Sequence, residues 1–171
     1  MYRVRGTYSA NMPAGLALAH QDQSPREIVI LAILRSSGAV VAGLVLAMVL
    51  IVAVEAVTNT LHPFPAGVEL THEVICNHVA KFPSWVLAVG TVLWASTVFV
   101  SSWLATRLGA RRHSAHGILI GILLFAAAAF NMSMLPYPIW FEVVTLASFV
   151  LATFLGCKLG RGKANRNVCP T

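Results

Sequence analysis

Four stretches of the chain carry no charged residue: Ser36–Val54 with 19 positions, Phe82–Thr106 with 25, Gly117–Phe141 with 25 and Val143–Cys157 with 15. A helix needs about 20 mostly apolar residues to cross roughly 30 Å of hydrocarbon, so each stretch fits one membrane span. Pro136-Tyr137-Pro138 separates the third span from the fourth, because proline blocks helical geometry before it and lacks a backbone donor. The pattern predicts four helices, at about 37–59, 84–107, 115–134 and 138–158.

The polar positions mark what lies between. Residues 1–23 are mixed and polar, without the short apolar core or small-residue cleavage site of a signal peptide. Ser24-Pro25-Arg26-Glu27 reads as a helix start, with Ser24 as cap, Pro25 in the first turn and Glu27 completing a capping box. The apolar run Ile28–Leu34 that follows is either an interfacial helix or an inner extension of the first span. The only sizeable loop is Ala66–Phe82. In it Leu70, Val74, Ile75 and Val79 recur at helical spacing, Thr71 is placed to cap, and Glu69, Glu73 and Asn77 fall on the other face. This predicts a short amphipathic surface helix. The chain therefore divides into an N-terminal segment over 1–35, a four-span domain over 36–160 and a tail over 161–171.

Composition closes off the alternatives. Of 171 residues 57% are hydrophobic and 11% charged, against about 25% charged in soluble domains. So short a chain cannot hide that much apolar surface in a water-soluble core. The same numbers exclude a disordered chain, and three cysteines exclude a disulfide scaffold. Basic residues set the orientation. With four spans, Lys81 alone of the 12 basic residues falls on one side. The other side carries the rest, among them Arg107, Arg111, Arg112, Lys158 and Arg161. That side is assigned to the cytoplasm, with both termini inside and the protein in the cell's inner membrane. The net charge of +6 then reflects topology and lipid headgroups at helix ends rather than nucleic acid.

An internal repeat is visible. Asn59 is followed by Pro63-Phe64-Pro65, and Asn131 by Pro136-Tyr137-Pro138. Pro83-Ser84-Trp85 opens one span and Pro138-Ile139-Trp140 another, while Arg107-Leu108-Gly109 and Lys158-Leu159-Gly160 stand at their far ends. These matches point to two copies of a helical hairpin in the same orientation, although prolines, tryptophans and basic residues gather at membrane interfaces in any case. Small residues at close spacing supply helix-packing seams: Gly38, Ala39, Ala42, Gly43 and Ala47, then Ala105 with Gly109, Gly117 with Gly121, and Gly156 with Gly160. Packing within one bundle is the simpler reading and a dimer seam the other. Trp85, Trp140, Tyr137, Phe82 and Phe141 read as an outer aromatic belt, Trp103 as an inner one and Trp94 as mid-span packing.

Candidate chemistry concentrates at the outer end. A carboxylate within a span is costly and is a functional-site hypothesis by default, which singles out Glu55. Asn59 follows one turn later, Asn131 ends the third span and Glu142 begins the fourth. Together they form a candidate polar cluster suited to a proton or cation, unless the carboxylates simply sit at the interface and the asparagines cap helix ends. His62, His72 and Cys76 are the candidate metal ligands on that side, with His72 and Cys76 four residues apart on one helix face. His113 and His116 flank the basic turn and read as part of a solvated loop. No phosphate-binding loop, dinucleotide fingerprint, nucleophile elbow or Cys-x-x-Cys pair occurs, so no cofactor is implied.

Three stretches carry a resemblance: Ala53-Val54-Glu55, Pro63-Phe64-Pro65-Ala66-Gly67, and Asn131 through Pro136-Tyr137-Pro138-Ile139-Trp140-Phe141. On these, residues 40–160 resemble small four-span bacterial inner-membrane proteins. The resemblance implies a fold and a location and no activity. The expectation is an all-α, four-helix transmembrane bundle embedded in lipid, alone or within a homo-oligomer or larger membrane complex. Two function classes stand: a non-enzymatic transport, channel or accessory subunit built on the polar cluster, and a membrane enzyme acting on lipid at the outer leaflet, with the same carboxylates and His62 or His72 as acid and base.

Overall fold

The computed structural model describes residues 25–65, 67, 69 and 71–162. Five α-helices follow in order: α1 (Pro25–Leu61), α2 (His72–Val79), α3 (Ser84–Leu108), α4 (Ser114–Met134) and α5 (Ile139–Arg161), with a single 3-10 turn at Ala110–Arg112 between α3 and α4. There is no strand among the described residues. Four of the helices, α1, α3, α4 and α5, are long and apolar enough to cross a membrane. The arrangement is all-helical and compatible with a multi-pass membrane protein.

The chain divides into two compact units, 1–34 and 35–171. Of the first, the described part is the opening of α1, where Ile28–Leu34 is an exposed helical run. The proposed Ser24 cap, the polar residues before it, Ala66, Leu70, Cys169 and most of the C-terminal tail lie outside the described residues. α1 has 37 residues, nearly twice the about 20 that a span requires. The helix forecast to start near Pro25 runs unbroken into the first span.

The second unit is an up-and-down bundle. α1 runs antiparallel to α3: the Arg35 Nε–H donates to the Leu108 carbonyl at 3.1 Å, and further along Gly43 faces Ala105 and Ser101. α3 and α5 run parallel. Thr91 and Thr145 share a hydroxyl hydrogen bond of 3.1 Å, and fifteen residues on Thr106 donates to the Cys157 sulfur at 3.6 Å. α4 lies antiparallel to both, with Gly117 against Ser102 and Thr106 and with Gly121 against Thr153. One end of the bundle therefore collects Arg35, Arg107, Arg112, Lys158 and Arg161, and the other collects Glu55, Asn131 and α2.

Small side chains decide these contacts. A Cβ on Gly156 would stand 2.6 Å from the Phe99 carbonyl oxygen, and one on Gly160 would stand 2.9 Å from that of Trp103. Ala39, Gly43 and Ala47 are buried in the same way on α1, whereas Gly38 has open space around it. The seams are thus used within the chain's own bundle, where close backbone approach replaces the hydrophobic drive that lipid does not supply. Large side chains such as Val52, Val92, Ile122 and Val150 point outward.

The helix boundaries follow local chemistry. Pro83 and Pro138 cap α3 and α5 with nearly the same backbone, at φ −59° and ψ 143° and φ −66° and ψ 141°. Thr71 caps α2 as forecast, its hydroxyl accepting from the Val74 amide at 3.4 Å. One expectation needs correction. Gly109 does end α3, but its counterpart Gly160 lies inside α5, which continues to Arg161. In the basic turn Arg112 and His113 are exposed, and His113 Nδ1 accepts from the Ala115 amide at 3.2 Å and so caps α4. His116 Nδ1–H donates to the His113 carbonyl at 3.0 Å.

Candidate functional site

At the Glu55 end, α1, α2, α3, the α4–α5 link and α5 surround a cavity of about 250 Å³. α1 contributes Glu55, Thr58 and Asn59 from successive turns, and His62 directly follows the helix. α2 contributes Ile75, His78 and Val79. α3 supplies Val86, Leu87, Gly90 and Trp94, α4 supplies Asn131, and Tyr137 and Phe141 close the far wall. A second cavity of about 190 Å³ shares Glu55, Trp94 and Asn131 with the first. It continues between apolar walls formed by Ile51, Val98, Leu124, Ala128 and Phe149. Glu55 thus stands where a chamber with five aromatic residues and several polar groups in its wall meets a more apolar one.

Three of the four cluster residues, Glu55, Asn59 and Asn131, line the first cavity together. Glu142 does not join them: it sits half-buried in the first turn of α5 and lines neither cavity. The candidate metal ligands are likewise parted. His72 Nε2 lies 3.5 Å from Cys76 Sγ, while His62 stacks on His78 with ring centroids 4.6 Å apart. Among the described residues no group of three His, Cys, Asp or Glu is placed to hold a metal ion. Of the headgroup candidates, Arg107 lies 5.7 Å over the Trp103 ring, Arg111 falls in the 3-10 turn, and Arg112, Lys158 and Arg161 are exposed.

His78 is the residue that sequence reasoning missed. It is 8% exposed. Its Nε2–H donates to the His62 carbonyl at 3.2 Å, Phe64 stacks on it at 3.9 Å, and Phe82 meets it edge-on at 5.2 Å. Spacing did contain the signal: His78 adjoins Val79 on the apolar side of a helix whose exposed side was read from Glu73 and Asn77. Burial, followed by the neighbouring His62 and Lys81, pushes the His78 imidazole below its usual range, and the hydrogen bond to the His62 backbone only partly offsets this.

A pH dependence follows. A histidine held neutral by the fold contributes stability in full above the unfolded value, about 6.5, and loses it as pH falls toward the lower folded value. The thermal midpoint in detergent is therefore expected to drop between about pH 7 and pH 5, and the His78→Gln variant is expected to show a flatter profile over that interval. An identical slope in both proteins would remove His78 as the cause.

The aromatic belt also needs correction. Trp85 and Trp140 are exposed as expected, but Phe141 is 3% exposed, and Phe82 and Tyr137 line the cavity. Tyr137 packs on Phe141 at 4.9 Å, and Trp94 approaches Phe141 at 6.2 Å. Burial, and then the charge of Glu55, pushes the Tyr137 phenol up to about 12, so it stays a neutral donor. Compared with known protein families, with curated proteins and with solved structures, the chain matches none.

Proposed function

We propose that the protein is a small, non-enzymatic transport, channel or accessory subunit of a bacterial inner membrane, and that the Glu55 chamber is its solute site. In this reading the basic end and both termini face the cytoplasm and the chamber faces outward. The observation that carries it is the placement of Glu55. It sits in the first candidate span and lines both cavities, with no ion pair to a basic side chain among the described residues. An ionisable group at such a position is costly and is a functional-site hypothesis by default.

The enzyme reading asks Glu55 and Glu142 to act together with His62 or His72. Neither Glu142 nor His72 lines the chamber, and an acid–base pair must come within hydrogen-bond reach of its substrate. Two finer points belong to the same proposal. The matching proline caps of α3 and α5 support two copies of one hairpin. A four-span bundle is small for a complete transporter, which favours work in a homo-oligomer or a larger complex.

Thiol labelling tests the site. Cys76, Cys157 and Cys169 are replaced by serine, and Glu55→Cys is exposed to a membrane-impermeant maleimide added from the outer side. Glu73→Cys, on the exposed side of α2, serves as the control. Labelling of both positions is expected. Reaction at position 73 with none at 55 in a folded protein would overturn the solute-site reading, and reaction only from the cytoplasmic side would reverse the orientation.

A further inference from the structure

The walls of the two cavities restrict what can enter them. Neither cavity has a lysine or arginine in its lining. The one carboxylate of that lining, Glu55, is shared by the two cavities, and Thr58, Asn59, Asn131, Thr97 and the two imidazoles of His62 and His78 are among the other polar groups of the walls. Around the first cavity stand the rings of Phe64, Phe82, Trp94, Tyr137 and Phe141. Aromatic faces attract a cation held within about 6 Å, tryptophan most strongly, and cages of this kind recognise quaternary ammonium groups. The rings are fixed by one another rather than by a cation of the protein: Tyr137 and Trp94 both lean on Phe141, and Phe64 stacks on His78.

The alternatives fit less well. A metal ion needs several hard or nitrogen donors at short range, and no suitable group of three exists among the described residues. An anion would meet the Glu55 carboxylate with no lysine or arginine in the lining to offset it, only the imidazoles of His62 and His78. A small inorganic cation would gain little from an aromatic wall and nothing from the apolar second cavity. At about 250 Å³ the first cavity lies just below the roughly 300–1,000 Å³ usual for ligand pockets, so the charged head must be small. Apart from Glu55, Asn131 and Thr97, the second cavity is lined by aliphatic and aromatic side chains and gives room for an apolar tail.

We infer that the chamber binds an amphipathic monovalent organic cation, a quaternary or protonated amine whose charged head sits between Glu55 and the aromatic rings and whose apolar tail enters the second cavity. This deepens the solute-site reading and rests on it. The same ammonium chemistry occurs on free solutes and on the headgroups of choline and ethanolamine lipids.

The test uses the full-length protein in maltoside detergent or in nanodiscs of phosphatidylglycerol alone, which carries no ammonium group. Equilibrium dialysis of radiolabelled benzyltrimethylammonium is expected to show saturable binding. Neopentylbenzene, its neutral carbon isostere, is expected to compete at least tenfold more weakly, about the effect of losing one desolvated cation–π and charge contact. Glu55→Gln and Trp94→Leu are each expected to lower affinity about tenfold or more, with folding checked by thermal melting. Displacement by dihexanoyl phosphatidylcholine but not by dihexanoyl phosphatidylglycerol supports the cation site and makes the lipid headgroup its source. Failure of both lipids to displace the label supports a free solute. Equal competition by the neutral isostere overturns the inference without use of any variant. So does absence of binding in a protein whose Glu55→Cys form is labelled from outside, and that result leaves the solute-site reading standing. Absence of both labelling and binding removes the two together.

Discussion

Gly156→Leu is expected to abolish the native packing of α3 on α5. A Cβ at this position would lie 2.6 Å from the Phe99 carbonyl oxygen, 3.1 Å from the Trp103 amide nitrogen and 3.2 Å from the Ser102 Cβ. Two of these atoms are backbone, so no rotamer change relieves the clash and the helices themselves must separate. Overpacking that side chains can absorb costs about 1–3 kcal/mol, and this substitution should exceed that range. Even Gly156→Ala should be strongly destabilising. Gly38→Ala is the matched control, since nothing lies within 4 Å of its added methyl. The control should be neutral or gain up to about 1 kcal/mol from better helix propensity. Unfolding in mixed micelles, followed by tryptophan fluorescence, separates the two. Equal stability of both variants would refute the close α3–α5 contact.

The second large effect is expected at Phe141. Its ring joins Leu87 and Met132 in a buried cluster and contacts Trp94, Tyr137 and Trp140. In a soluble core Phe→Ala costs roughly 3–5 kcal/mol. Between spans, lipid tails solvate a wild-type ring freed by unfolding much as the bundle does, so Phe141→Ala forfeits chiefly the packing contacts and should cost less than that range, on the order of 2 kcal/mol. The same change should enlarge the chamber and free Tyr137 and Trp94 to reorient, visible as a shift in tryptophan emission. Trp140→Ala, at an exposed ring, should cost well under 1 kcal/mol. Indistinguishable unfolding of the two variants would return Phe141 to the surface belt.

The four long helices and their breaks were legible because few physical options exist for runs of 15 to 25 uncharged residues. Pro136 and Pro138 admit no continuous helix, and Thr71 had an evident amide to cap. What the sequence concealed was which side of each span faces its neighbours. A soluble helix declares its inner side by apolarity, whereas a span is apolar all round. The inner side of α3 is instead written in small and hydroxyl residues: Thr91, Thr97, Ser101, Ser102, Ala105 and Thr106 are all buried. On α5, Thr145, Ala152, Gly156 and Gly160 answer them. That inverted code was used for the glycines and passed over for the hydroxyls.

The cluster was legible for a related reason. Glu55, Asn59 and Asn131 stand out against an apolar background, and placing them at one depth required only counting along two helices. Glu142 satisfied the same count and still falls outside, since depth says nothing of direction around the helix. The aromatic walls were hidden by their resemblance to an interface belt. Phe141 and Trp140 are neighbours in sequence, yet one is buried and the other exposed. Consecutive helical positions point about 100° apart, so only the packing of α5 could tell them apart.

The two hairpins are closed very differently. Four residues, 135–138, join α4 to α5, whereas 22 residues, 62–83, join α1 to α3 and carry His62, Phe64, His78 and Phe82 into the chamber wall. None of the atoms nearest the packed glycines of the long helices comes from the 62–83 connection, so its length and the glycine contacts are set by separate stretches of sequence. On the solute-site proposal, that connection supplies only part of the wall, and Glu55, Trp94, Asn131, Tyr137 and Phe141 come from the helices and the short link.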